Sequence, residues 1–370
     1  MTIYDDLAVR RVINAAGTNT RYGGSRLTDT VQAAMIDASH DFVDVTELND
    51  AVGRYLATVT GAEAAMVTSG AASAVVLATA ACLARHDPAA VRALPGHTRP
   101  PNHVIVQRAH QNPFTRLPTL AGAHLRWIGT AEHTSPADLD AAADPSTIAV
   151  LHVVSGPSRG LDLDTMVRVA HRHDLPVIVD AAGALPPMAN LTAFTASGAD
   201  LVQFSGGKYL RGPQNSGILT GRRDLIEIAR TLASPNIELG RPHKVSRETI
   251  AGLHAAVREA LNTDHDGLMS TYRARLEPIV AGLTRLPHVT ATIEHDDHTF
   301  RIPSILVTID HENATAIAAA VQRGLIDADP PIALHQEPPP GALVVNPFNL
   351  CDADVPDVAE RLRDHLTTTL

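Results

Sequence analysis

Short apolar runs recur along the first two thirds of the chain: Ala65-Met66-Val67, His103-Val104-Ile105-Val106, Ile148-Ala149-Val150-Leu151, Pro176-Val177-Ile178-Val179, Asp200-Leu201-Val202 and Gly217-Ile218-Leu219. Most are rich in Val or Ile and flanked by Gly, Pro, Asp or Ser, as suits strands buried on both faces. Helical spacing separates several of them, at Gly70 to Arg85 and at Asp164 to His173, the latter with Asp162 or Asp164 as its N-cap. Strands alternating with helices predict an α/β domain with a mostly parallel sheet.

Beyond Ser234-Pro235 and Gly240-Arg241-Pro242 the pattern changes. A long helical run from Arg247 to about Leu286 leads into alternating strands (His288 to Glu294, Ile302 to Ile309), a helix (Ala314 to Arg323) and a last helix (Val355 to Leu366). This predicts a smaller α+β domain. The expected division is an N-terminal segment over 1–45, a large domain over 46–240 and a small domain with its connecting helix over 241–370. A proline-rich stretch from Asp87 to Asn102 is longer than most connections, which marks it for function.

Ala64 to Ala84 runs 21 residues without a charge. That is the length of a membrane span, but it is mostly Ala with Thr68-Ser69-Gly70 in its middle. A buried strand, a tight turn and a buried helix fit better, and no membrane partner is expected. The net charge is −10, which offers no electrostatic footprint for a nucleic acid backbone. The two cysteines cannot make a disulfide framework or a four-thiolate zinc site. The N-terminus has no signal-peptide pattern, so a cytoplasmic location is expected.

Composition changes the picture at one point. Of the 30 basic residues only Lys208 and Lys244 are lysine. Arginine stays protonated, whereas a lysine amine can form a Schiff base, so these two are candidates for work arginine cannot do. Lys208 ends Gln203-Phe204-Ser205-Gly206-Gly207-Lys208, a strand leaving into a loop whose glycines let backbone approach a ligand. The loop is not a P-loop, since Val202 and Tyr209 stand where glycine and Ser or Thr are required.

Asp180 closes the apolar run Val177-Ile178-Val179, where an open sheet binds its ligands. A buried carboxylate there needs a partner, such as a protonated pyridine nitrogen, though a helix-capping role fits equally. Thr68-Ser69-Gly70-Ala71 turns from strand into helix and offers free N–H groups to a phosphate. His110 lies just past the strand ending near Gln107. A competing motif, Gly156-Pro157-Ser158-Arg159-Gly160, matches a hydrolase nucleophile elbow but does not turn directly into its helix. His171 and His173 diverge on a helix, and no metal site is expected.

Taken together, these features resemble the fold-type I, aspartate aminotransferase-like pyridoxal phosphate enzymes. Val12-Ile13-Asn14-Ala15-Ala16-Gly17-Thr18, Gly23-Gly24-Ser25, Arg92-Ala93-Leu94-Pro95, Val106-Gln107-Arg108-Ala109-His110, Ser205-Gly206-Gly207-Lys208 with Gly212-Pro213-Gln214, and Gly240-Arg241-Pro242-His243-Lys244 are similar to the branch holding D-glucosaminate-6-phosphate ammonia-lyase and selenocysteine synthase.

The resemblance implies that Lys208 carries the cofactor as a Schiff base and moves protons. It implies that Asp180 keeps the pyridine nitrogen protonated and that His110 stacks on the ring. Ser69, Gly70, Ala71 and Ser205 would hold the phosphate, and Gln214 would belong to the same site. It further implies a homodimer or higher oligomer, with Thr18, Thr20 and the loop Arg211 to Gln214 lining a neighbour's site. A tRNA substrate is disfavoured by the acidic charge and by a core motif that starts almost at once. The expected reaction is α,β-elimination on a small β-substituted amino acid or amino-sugar acid, giving a 2-keto acid and ammonia. Racemisation, β-replacement and transamination use the same lysine, and a serine hydrolase built on Ser158 is a remote alternative. His335 stands where the branch pattern leads one to expect arginine, and Arg301 is the candidate replacement anchor.

Overall fold

The computed structural model describes residues 2–86, 92–96, 100–154 and 160–370. Twelve strands run through the described residues: β1 Ile13–Ala15, β2 Ala64–Thr68, β3 His103–Gln107, β4 His124–Ile128, β5 Thr147–Val153, β6 Val177–Asp180, β7 Leu201–Ser205, β8 Gly217–Gly221, β9 Val289–Glu294, β10 Ser304–Ile309, β11 Ile332–Leu334 and β12 Ala342–Val345. The chain divides into two compact units, one of Leu27–Leu261 and one of Met1–Arg26 with Asn262–Leu370.

The large unit is built on a seven-stranded sheet in the order β2-β8-β7-β6-β5-β3-β4. β8 is antiparallel to both its neighbours, and the other pairings are parallel, so a single strand runs against the rest. The expected runs all became strands because their side chains are dry on both faces: Val177, Ile178, Val179, Leu201 and Val202 are fully buried. Alternation sorts these side chains. Ile178 and Leu201 pack with Leu77 and Ala78 of the helix Ala71–His86, whereas Val179 and Val202 pack with Met166 and Leu253 on the other face.

The uncharged stretch resolves into β2, a turn and the helix Ala71–His86, and no described helix is long and apolar enough to cross a membrane. The helix Leu163–His171 takes Asp162 as its N-cap, whose carboxylate accepts from Thr165 N–H at 2.8 Å. The long helical run is broken at 262–264 into Arg247–Leu261 and His265–Leu283, with Asp264 capping the second helix. Arg247–Leu261 belongs to the large unit, as do residues 27–45, so the divisions fall after Arg26 and Leu261 instead of after residues 45 and 240. Leu253 and Val257 give the reason: both are fully buried in the core that covers the sheet.

The smaller unit holds an antiparallel sheet in the order β12-β10-β9 and the parallel pair β1-β11. Its core is Leu276, Ile305, Val307, Val321, Leu343 and Leu362. Asn349 ties down the N-terminal segment: its Nδ2 donates to Gly17 O and Gly24 O at 2.9 and 3.0 Å, and its Oδ1 accepts from Arg26 N–H.

Gly53, on the helix Val45–Thr60, has no room for a side chain, because an added Cβ would collide with Ala65 O of β2. Gly53→Ala is therefore expected to destabilise the protein by roughly 1–3 kcal/mol, the ordinary range for overpacking, read as a lower urea midpoint with an unchanged slope.

Candidate active site

The register of the sheet assembles the site. Thr68 pairs with Gly217, Gly217 with Ser205, Gln203 with Asp180, and Asp180 with Val153. The carboxyl ends of β2, β5, β6 and β7 therefore meet along one edge, the position at which open α/β sheets take ligands.

Asp180 is 9% exposed, and one Oδ accepts from Ala182 N–H at 3.1 Å. Burial pushes its pKa up, against the opposing pull of the Ala182 hydrogen bond and the Lys208 charge. Burial likewise pushes the Lys208 amine down, with the Asp180 charge opposing. The two groups lie close enough for each charge to act on the other, and a Cβ added at Gly183, three residues past Asp180, would stand 3.8 Å from Lys208 Nζ. An amine with a lowered pKa is more often unprotonated, and hence more nucleophilic.

The lysine loop is held from within. Gly206 N–H donates to Ser216 O at 2.9 Å and Gly212 N–H to Gly206 O at 2.8 Å. A Cβ at Gly207 would press on the backbone of Gln214 and one at Gly206 on the Ser216 hydroxyl, which explains the paired glycines before Lys208. Gln214 itself is exposed.

At the start of the helix Ala71–His86, Gly70 adopts φ +108 and its carbonyl accepts from Ala74 N–H, which leaves the first-turn amides pointing outward. Gly217 allows this turn to approach the sheet, since its Cβ would lie 2.5 Å from Gly70 C and 2.7 Å from Ala71 N. Ser69 is half-buried at this turn, and Ser205 is half-buried at the end of β7. Backbone amides at a helix N-terminus flanked by two hydroxyls make an anion cup.

His110 is buried, and its Nδ1 accepts from Val153 N–H at 3.3 Å, which fixes the ring beside the end of β5. Burial lowers its pKa to about 4. Three further residues of this edge were not anticipated from the sequence. His152 packs edge-on to His110 at 4.7 Å, and its pKa is lowered to about 3 by burial and then by His110. His243 Nδ1 lies 3.0 Å from Ser73 Oγ, on the first turn of the helix Ala71–His86. Gln203 is wholly buried next to Asp180 in register. The available signal was a polar residue inside an apolar run, visible for Gln203 and His152.

The substrate candidates Thr20, Arg301 and His335 all belong to the smaller unit. Parallel pairing of Ala15 with Leu334, and of Ala16 with Asn346, brings the segment Gly17 to Thr20 and His335 to one end of that unit. Ile305 pairs with Val345, so Arg301, just before β10, lies at the same end. Thr20 is exposed, while Arg301 and His335 are half-buried. Burial lowers the pKa of His335, with Glu337 opposing. Lys244 is exposed. Gly156, Pro157, Ser158 and Arg159 lie outside the described residues. His171 and His173 turn to separate carboxylates, Asp200 and Asp140.

The residues fit pyridoxal phosphate: an anion cup of amides and hydroxyls, a largely buried amine, a buried carboxylate with one hydrogen bond, and a fixed neutral ring. Fold and site together define a fold-type I pyridoxal phosphate enzyme. The chain belongs to the SelA family, described as L-seryl-tRNA selenium transferase, which matches residues 12–271. It is 34% identical to a Streptomyces 5'-C-glycyluridine monooxygenase-decarboxylase, over 80% of this chain and 74% of the relative. It is 31% identical to D-glucosaminate-6-phosphate ammonia lyase of Salmonella typhimurium, over 80% of this chain and 79% of the relative. A solved D-glucosaminate-6-phosphate ammonia-lyase structure superposes with a TM-score of 0.84 at 27% identity, covering 100% of this chain and 99% of that one.

The buried histidines fix a pH dependence. His110 and His152 are neutral in the folded protein with pKa values depressed to about 4 and about 3, so the unfolded chain takes up their protons first. Stability is then full above the unfolded value of about 6.5 and falls as pH drops from there toward 4. Urea midpoints measured between pH 7.5 and 4.5 should fall across this window, and His152→Leu should flatten the decline.

Proposed function

We propose that the protein is a pyridoxal phosphate-dependent lyase that eliminates water from a small β-hydroxy amino acid or amino-sugar acid, leaving an enamine whose hydrolysis by one water gives a 2-keto acid and ammonia. The observation that carries this reading is the buried Asp180–Lys208 arrangement at the sheet edge of a chain 31% identical to an ammonia lyase. When bound, the cofactor supplies an electron sink for the pair left at the substrate Cα.

In this reading Lys208 Nζ takes the proton from Cα and returns one to the hydroxyl departing from Cβ. Burial pushes the pKa of this amine down, which favours its unprotonated, proton-accepting form. Asp180 keeps a proton on the ring nitrogen, because a carboxylate in a dry pocket is stabilised by an adjacent cation. The His110 ring stacks on the cofactor face, held by Val153 N–H. Ser69, Gly70, Ala71 and Ser205 bind the phosphate, with Gln214 at the rim. Thr20, Arg301 and His335 are proposed to contact substrate polar groups.

A second reading has its own support in the Streptomyces relative, 34% identical and named a monooxygenase-decarboxylase. There the bond broken at Cα would be the one to the carboxylate. Products separate the two: ammonia with a 2-keto acid for elimination, carbon dioxide with oxygen uptake for the alternative.

A homodimer is part of the proposal. Phe42 and Ile237 are 92% and 89% exposed, with Ile36 and Val43 also exposed, an apolar population that a second copy would cover. Sedimentation velocity should give a species of twice the chain mass, and a strict monomer would count against it. The unpaired Cys82 and Cys351 support a cytoplasmic location.

The decisive test is spectroscopic. Purified protein should carry a visible absorption band that borohydride abolishes, and Lys208→Ala should lack it and lose at least a hundredfold in turnover. A protein colourless after incubation with pyridoxal phosphate would sink the assignment.

A further inference from the structure

Gln203 lies in β7 with no exposure at all, and among the described residues neither its Nε2 nor its Oε1 has a hydrogen-bond partner. A buried amide left unmet costs about 1–3 kcal/mol, and native strands rarely carry one without a reason. Its position supplies the reason. Gln203 is the register partner of Asp180 on the neighbouring parallel strand, and paired residues of adjacent strands share a face about 5 Å apart. Leu201 and Ile178, two residues earlier on each strand, pack on the face that carries the helix Ala71–His86. By alternation Gln203 and Asp180 lie on that same face, beneath the turn that forms the anion cup. Among the described residues the Asp180 carboxylate accepts a single hydrogen bond, from Ala182 N–H. An unused donor and an under-used acceptor thus sit side by side.

We propose that Gln203 is a positioning residue of the cofactor site: with pyridoxal phosphate seated, its Nε2 donates to the Asp180 carboxylate and holds that group toward the ring nitrogen. This rests on the cofactor assignment and adds to it a residue that acts through Asp180. Its role is distinct from that of a core residue, because a core residue supports the fold with or without cofactor. An orphaned amide gives the cofactor-free fold nothing.

The experiment compares wild type with Gln203→Met, which keeps the length of the side chain, and with Gln203→Leu. Three quantities are measured: the dissociation constant for pyridoxal phosphate by visible titration, the visible circular dichroism of the bound cofactor, and the thermal midpoint of cofactor-free protein. Both variants should bind the cofactor about tenfold or more weakly, the weight of one hydrogen bond to a charged group, with a diminished dichroic band. The cofactor-free midpoint should be unchanged or higher, since an unmet polar group has been removed. Unchanged affinity and dichroism in Gln203→Met, with normal loading of wild type, would overturn this inference alone. Weaker binding accompanied by a lower cofactor-free midpoint would mark a packing role and overturn it too. A wild type that takes up no cofactor would overturn the assignment and this inference together.

Discussion

Everything in the large unit is arranged around a carboxylate and an amine that share a nearly dry edge of the sheet. Burial raises the pKa of Asp180 and lowers that of Lys208, while each charge opposes the shift of the other. Desolvation thus works against a simple ion pair, as it does for buried pairs generally. Such an arrangement is a poor stability device and a good reactive one. It suits a ligand offering a cationic ring nitrogen to the carboxylate and a carbonyl carbon to the amine.

Holding two such groups requires close backbone approach, and glycines provide it where a side chain would collide. Gly217 lets the Gly70 turn lie against β8, with atoms 2.5–2.7 Å from where its Cβ would be. Gly207 lets the lysine loop fold against Gln214, whose Cα would lie too close to a Cβ at that position. The one reversed strand matters as well, because β8 places Gly217 between Thr68 and Ser205 and so draws the cup and the lysine strand to one edge. Sheet order, strand direction and two missing side chains together set the geometry in which the chemistry becomes possible.

The fold was legible because a parallel sheet buries both faces, so its strands read as plain apolar runs. β4 escaped that reading: it is an edge strand whose His124 is exposed and whose Leu125, Arg126 and Trp127 are only half-buried. The unit boundary was hidden for a related reason, since the helical spacing before and after 262–264 looks continuous and only packing assigns Leu253 and Val257 to the sheet. Lys208 stood out through the scarcity of lysine, and Asp180 through its place at a strand end. Gln203, His152 and His243 did not, because their significance lies in a neighbour brought by register or by a turn distant in sequence.

The relatives carry a further lesson about where reaction choice resides. A selenium transferase family, an ammonia lyase and a monooxygenase-decarboxylase all share similarity with this chain, although the bonds their names imply are different. A cradle that protonates the ring and offers a lysine activates every bond at Cα in the same way. What differs among such enzymes must therefore be the orientation of the substrate and the groups that meet its polar ends. In this chain Thr20, Arg301 and His335, proposed above as substrate contacts, are gathered at one end of the smaller unit by the pairing of β1 with β11 and of β10 with β12. His335 is neutral more readily than an arginine ever is, because burial lowers its pKa. A neutral imidazole at that position favours a hydroxyl or a single carboxylate oxygen over a phosphate dianion, since it offers one donor in place of a charged fork.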